Sequence, residues 1–250
     1  MTSTILFDQE AGIATLRFNR PDRRNALGRD ELSGIQRALN DRSPATRVLV
    51  IPSASGATFC AGADLQQIRS GELDGDQFQQ VTNELADLPI PTLCVINGNV
   101  FGGGCELAMS CDFRLASEDI VMRVPASVIG LCYPIEGIER MVNRLGGTLA
   151  KRILVAAEEF SAQQMLEFGI VSRLISEDQL IAESNLTAKM LAQRAPLAVA
   201  AMLKIIRQAE RGGINVKEAR ELAAFCSESD DLQEGLLAQK ERRAPIFRGV

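Results

Sequence analysis

The spacing of apolar residues changes character several times along the first half of the chain. Ile5–Phe7 and Ile13–Phe18 alternate with polar residues around a glycine-containing turn, the pattern of a β-hairpin. In GRDELSGIQRALND, Leu32, Ile35 and Leu39 recur at intervals of three and four, which predicts an amphipathic helix. Val48–Ile51 is a continuous apolar run, suited to a strand covered on both faces. A polar, glycine-bearing region, Ala54–Asp76, separates it from a helix expected around Gln77–Ala86. Leu93–Ile96 is a second buried strand, and a glycine-rich turn leads from it into a helix at CELAMSCD and a short strand at FRLAS. Alternating helices and doubly buried strands predict an α/β layer around a mainly parallel sheet.

Beyond about residue 145 helical spacing takes over. GTLAKRILVAAEEFSAQQMLEFG and SEDQLIAESNLTAKMLAQRAPLAVAAMLKIIRQAE predict successive helices, with IVSRLI the only strand-like run. Pro196 breaks the second stretch and suits the first turn of a new helix. NVKEARELAAFCSESDDLQEGLLAQKERRAPIF adds two more. The expected organisation is a core over residues 1–190 with a helical region over 191–250 docked on it, without internal repeats.

Composition narrows the chemistry. The net charge of -5 and pI of about 5.1 argue against nucleic acid or an anionic membrane as partner, while leaving room for a local basic patch. No apolar run reaches the roughly 18 residues of a membrane span, and the N-terminus lacks a signal-peptide pattern, so a cytoplasmic protein is expected. Six cysteines without CxxC spacing read as reduced, small buried side chains rather than zinc ligands. The absence of histidine removes the common triads and imidazole-ligated metals; no metal is expected. Proton transfer falls to Glu, Asp, Tyr, Lys, Cys or water.

The window NGNVFGGGCELAMSC, Asn97–Cys111, concentrates the candidate chemistry. As a phosphate loop it lacks the lysine of a P-loop and the glycine order of a dinucleotide fingerprint, although a helix-end anion site remains open. As a thiol site, Cys105 would sit at a helix N-terminus, where the dipole favours thiolate, but there is no histidine to serve as base. The third reading sets a free amide near Gly103 against a developing oxyanion, with Glu106 one short step further on to act on an α-proton. A glutamate that merely favours the helix dipole explains Glu106 equally well on spacing alone.

Several separated motifs resemble the crotonase superfamily, the enoyl-CoA hydratase/isomerase family: FNRPDRRNAL, ATFCAGADLQQI and INGNVFGGGCELAMSCDFRLAS, followed by SAQQMLEFGIVSRLI and EGLLAQKERRAPIF. The resemblance covers nearly the whole chain. It implies an α/β fold with a crotonase-like ββα spiral core and a C-terminal helical region serving as trimerisation element or lid. It further implies an acyl-CoA thioester substrate, no separate cofactor, and a homotrimer or dimer of trimers. The oxyanion amides would be those of Ala63 and Gly103, with Glu106 as catalytic carboxylate. Arg23, Arg24, Ala26, Ala61, Asp64, Leu65 and Phe101 fall in segments that border CoA in relatives, and Arg242 and Arg243 could reach a phosphate from the tail.

The chain departs from the family pattern at one position and in the loop that follows it. Hydratases use a second glutamate after a proline, where this chain has Pro125–Ala126. Downstream, GLCYPIEGIER brings in Tyr133, the only tyrosine, and Glu136. Tyr133 falls where some decarboxylating relatives place a tyrosine; Glu136 could supply the missing carboxylate or simply pair with Arg140 at helical spacing. Hydration, isomerisation of a 3-enoyl thioester, decarboxylation of a malonyl-type thioester and silent acyl-CoA binding all remain open at this level.

Overall fold

The computed structural model describes residues 3–54, 56–73 and 75–250. The expected hairpin is β1 (Ile5–Glu10) and β2 (Ile13–Phe18), longer in its first arm than alternation indicated. After α1 (Arg29–Asn40) the chain makes three similar excursions. The first is β3 (Val48–Pro52), β4 (Thr58–Cys60), α2 (Leu65–Ser70) and α3 (Gly75–Ala86). The second is β5 (Thr92–Ile96), β6 (Asn99–Phe101) and α4 (Gly103–Ser110). The third is β7 (Phe113–Ser117), β8 (Val121–Arg123) and α5 (Ile135–Leu154). In each, the first strand joins one sheet and the second strand another, giving the expected ββα spiral.

The larger sheet has the order β1-β2-β3-β5-β7-β10, with β10 at Arg173–Ile175, and is parallel except for the hairpin. The smaller has the order β4-β6-β8-β9, with β9 at Glu159–Ser161 pairing antiparallel to β8. Every residue of β3 and β5 is buried, as their unbroken apolar runs predict. One face of the large sheet meets α1 and the spiral's other elements. The other receives α7 (Glu177–Ala192), whose Leu180, Ala188 and Leu191 pack on Val48, Val50, Leu93, Val95 and Leu115. Helix α6 (Ala162–Glu167) follows β9, and α8 (Pro196–Glu210), α9 (Val216–Ser227) and α10 (Asp230–Glu241) complete the chain.

Three expectations need correction. The polar, glycine-bearing region Ala54–Asp76, for which no element was expected, holds β4 and α2; its residues 55 and 74 lie outside those described. Three-residue strands such as β4, β6, β8 and β9 are too short to show a period, so alternation does not reveal them. The long helix α5 starts at Ile135, before the expected change near residue 145, and is interrupted at Gly146 (φ 78°). Among the cysteines, Cys60, Cys94, Cys105 and Cys111 are buried, but Cys132 is exposed. No helix among the described residues is long and apolar enough to cross a membrane.

Candidate active site

The ends of β4 and β6 bring two peptide units together. A Cβ placed on Gly62 would stand 2.5 Å from the Gly103 nitrogen, and one placed on Gly103 would stand 3.3 Å from the Ala63 nitrogen. Gly62 also has φ +85°, which L side chains rarely adopt, so glycine is required there twice over. The flanks are pinned: Leu27 N donates to Gly62 O at 2.8 Å and Asp64 N to Leu27 O at 2.9 Å. Gly102 N donates to Arg123 O at 2.9 Å. Between these bonds the amides of Ala63 and Gly103 have no acceptor among the described residues. The Gly103 amide is unpaired because it opens α4, where the first N–H groups lack intrahelical partners.

Glu106 lies one helical turn beyond Gly103 and is 1% exposed. Its Oε1 accepts from Arg140 Nη1 at 2.8 Å, Gln79 Nε2 at 3.0 Å and Thr82 Oγ1 at 3.2 Å. Its Oε2 is buried and has no hydrogen-bond partner among the described residues. A Cβ on Gly137 would meet Oε2 at 2.7 Å and Tyr133 Cε1 at 2.6 Å, so that oxygen, the phenol ring and the first turn of α5 share one small space. Burial raises the Glu106 carboxyl above its ordinary 4.5, against the opposing pull of Arg140, then Gln79, Tyr133 and Thr82. Burial, reinforced by Glu106, pushes Tyr133 well above its ordinary 10, so the phenol keeps its proton at neutral pH. Its hydroxyl stands near enough to favour the charged form of Glu106, although the hydrogen bond it donates goes to Gly102 O at 3.4 Å.

Other expected residues divide into two groups. Arg23 and Arg24 are exposed on a short 3-10 turn, and Ala61 N donates to Arg24 O at 3.0 Å, which joins Arg23, Arg24, Ala26 and Ala61 into one ledge. Phe101, half-buried at the end of β6, has its carbonyl 2.9 Å from the Cβ position of Gly62. Leu65 is exposed at the start of α2. Asp64, by contrast, caps α2 through Gln66 N at 3.1 Å and Gln67 N at 3.4 Å and pairs with Arg20 at 3.3 Å, so its carboxylate is occupied by the fold. Arg243 is likewise committed to its own tail, bonded to Glu234 at 2.6 Å and Glu241 at 2.7 Å. Arg242 is exposed and ends α10 with φ 55°.

Of the two residues that could stand in for the second carboxylate, Tyr133 lies beside Glu106 and Glu136 faces outward. Ala126 is 6% exposed and its carbonyl accepts from Leu131 N at 2.9 Å, so the position is filled by packing. Glu136 is exposed, has no hydrogen-bond or ion-pair partner among the described residues, and lines a surface groove with Asp76, Gln80 and Asn83. Its helical neighbour Arg140 turns inward instead of pairing with it. Cys105 is not an armed thiol: burial raises its pKa, and Sγ donates to Val100 O at 3.4 Å. No group of three or more metal-ligating side chains occurs among the described residues.

Gln79, Thr82 and Asn83 escaped the sequence reading, and Arg140 entered it only as a surface partner for Glu136. On α3 the buried positions are Phe78, Gln79, Val81, Thr82, Leu85 and Ala86, so two polar residues sit in an otherwise apolar stripe. That misplacement is a signal of a buried acceptor, but it does not say which one.

The family described as enoyl-CoA hydratase/isomerase matches residues 8–250. A crotonyl-CoA hydratase of Syntrophomonas wolfei is 29% identical over 253 residues, covering 97% of each chain. An enoyl-CoA isomerase/hydratase of Mycosarcoma maydis is 32% identical over 260 residues, covering 95% of this chain and 93% of the relative. A crystal structure of an enoyl-CoA hydratase subunit from Geobacillus kaustophilus superposes with a TM-score of 0.89 at 30% identity, covering 99% of this chain and 98% of that one. With its motifs, its spiral of paired strands and these likenesses in agreement, the chain belongs to the enoyl-CoA hydratase/isomerase family of acyl-CoA-processing enzymes.

Proposed function

We propose that the protein moves the double bond of a 3-enoyl-CoA to the 2-position. The observation that carries this reading is Glu106: a buried carboxylate with one unpaired oxygen, a turn away from two unpaired amides, and alanine where a second carboxylate would stand. In this reading the amides of Ala63 and Gly103 receive the thioester oxygen. Glu106 Oε2 takes a proton from C2, the electron pair spreads over a dienolate held by those amides, and the proton returns to C4. The charge grows on the oxygen as the proton leaves, so the amides bind the transition state better than the substrate. One base suffices. Hydration asks for a second group to manage the proton of water, and Ala126 carries none.

The ledge of Arg23, Arg24, Ala26 and Ala61, with Leu65 and Phe101, is the proposed CoA-binding edge, the two arginines facing phosphate. Asp64 would act there through its capped turn rather than its charge. The protein would work without a separate cofactor, in the cytoplasm, as a homotrimer or dimer of trimers assembled through residues 191–250.

Purified protein should be assayed with a 3-enoyl-CoA, with crotonyl-CoA for hydration and with methylmalonyl-CoA for carbon dioxide release. Turnover of the 3-enoyl thioester is expected to dominate. Faster hydration would overturn the one-base reading. Carbon dioxide release abolished by Tyr133→Phe would favour decarboxylation, and thioester binding without any turnover would leave a silent member of the family.

A further inference from the structure

Arg140 has an easy partner on its own helix and does not take it. Glu136 sits four residues earlier and Glu139 beside it, both exposed. Such a solvated surface pair contributes little. Arg140 instead turns into the protein, Nη1 to Glu106 Oε1 at 2.8 Å, with the two side chains 10% and 1% exposed. A buried carboxylate left without a counter-charge is far more costly than a lost surface pair. The buried demand therefore decides where the guanidinium goes.

We propose that Arg140, anchored by Asn83, is the positioning residue of this site, fixing Oε1 of Glu106 so that Oε2 alone is presented for proton transfer. This rests on the reading of Glu106 as the base. The guanidinium is held from two helices: Nη1 reaches Glu106 on α4 while Nη2 donates to Asn83 Oδ1 on α3 at 2.6 Å. A planar fork can make both bonds at once, whereas a lysine ammonium on the same backbone cannot reproduce that geometry. Gln79 also donates to Oε1, and Thr82 shares its hydroxyl proton between Oε1 and Gln79 O, so rotating the carboxylate off this orientation would break the charged bond to Arg140 and the bond to Gln79. The oxygen that remains free is the one against Gly137 and Tyr133.

The charged and titratable groups around Glu106 are few. Arg140 faces it from α5 and Tyr133 from the segment before α5, α3 offers only the neutral Gln79 and Thr82, and Arg144 stands behind Arg140 and opposes its charge. Arg140 is thus the principal source of positive potential at the carboxylate, and its removal has a titration signature that a packing role lacks.

The test is the pH dependence of kcat and KM for the full-length wild type, Arg140→Gln, Arg140→Lys, Asn83→Ala and Glu106→Gln. For Arg140→Gln, KM should stay within about threefold while kcat falls by about 30-fold or more. Its acid limb should move up by about one pH unit or more, as for any carboxylate that loses an adjacent cation. Arg140→Lys should restore the limb but recover kcat only in part. Asn83→Ala, which keeps both charges, should lower kcat and leave the limb in place. If Arg140→Gln does not fold, wild-type kcat in both Arg140→Lys and Asn83→Ala overturns the proposal. So does an unmoved limb in Arg140→Gln with kcat within about threefold of wild type. Full activity in Glu106→Gln would instead sink the underlying reading of the base.

Discussion

Because burial raises the Glu106 carboxyl above 4.5, its ionisation affects activity and stability with opposite signs. The base must be charged, so kcat should rise with pH through the elevated value. The folded protein binds this proton more tightly than the unfolded chain, whose glutamates titrate near about 4.3. That contribution to stability is complete below the unfolded value and is lost as pH rises through the folded one. Relative to Glu106→Gln, the wild type is therefore expected to lose stability across that window, read from urea midpoints at several pH values. Glu106→Gln should bind acyl-CoA as wild type does and turn over about 100-fold slower or worse. Gly62→Ala tests the paired amides. A methyl 2.5 Å from the Gly103 nitrogen, on a backbone at φ +85°, must push that amide aside. A fall of about 100-fold in kcat is expected, the scale for losing one oxyanion donor, and unchanged kcat would remove the Gly103 amide from the mechanism.

Helix α4 is only eight residues long, yet it carries the Gly103 amide at one end and is fastened at the other. Arg114 donates to Cys111 O at 2.6 Å and to Ala108 O at 3.4 Å, and Arg144 also donates to Cys111 O. Cations at the C-terminal carbonyls complement the helix dipole, whose positive end then faces the place proposed for the oxyanion. Just beyond, Asp112 is gripped by Arg207 of α8 at 3.0 Å, and the same arginine donates to Leu88 O at 2.5 Å. Arg207 is 7% exposed and ties the C-terminal helices to the segments that flank the site. Arg207→Met should cost about 2 kcal/mol in denaturant unfolding, the scale of losing hydrogen bonds to a charged group, since Asp112 keeps its Thr92 bonds and the nearby charge of Arg114. A loss under about 0.5 kcal/mol, the level of an ordinary surface substitution, would show that the link is dispensable. At this scale the sequence was informative for the long elements and for the short strands at FRLAS and IVSRLI, and silent for β4, β6, β8 and β9. Strands β3 and β5 and the turn at Pro196 were legible from apolar runs and proline chemistry. Strands β4 and β6, whose ends create the paired amides, were not, because three residues have no periodicity.

Across the whole molecule, the C-terminal helices leave apolar surface uncovered. Leu186, Met190, Met202, Ile206, Phe225 and Leu236 are each exposed on α7–α10. Monomeric proteins rarely leave extended apolar surface unburied, which favours association with further copies. Sedimentation should give about three or six times the 27.1 kDa chain mass, and Phe225→Asp should shift the distribution towards monomer. A monomer at micromolar concentration would count against the proposed assembly.

The sequence by itself carried the α/β class, a free amide near Gly103 with Glu106 beside it, and motifs that resemble the family, the resemblance alone adding Ala63 as the expected second amide. Glycine is needed where backbones nearly touch, amides go unpaired where a helix begins, and a carboxylate three residues later falls on the same face. It also identified the missing carboxylate at Ala126, since the kind of side chain is fixed by the letter. Only the tertiary structure decided what surrounds that glutamate. On spacing alone, Arg140 was a surface partner for Glu136, and Gln79 and Thr82 were positions on a helix face. Their convergence on one oxygen requires α3, α4 and α5 to pack together. Burial then reverses the preference that exposed side chains would show, since a desolvated charge demands its counter-ion far more strongly than a solvated one.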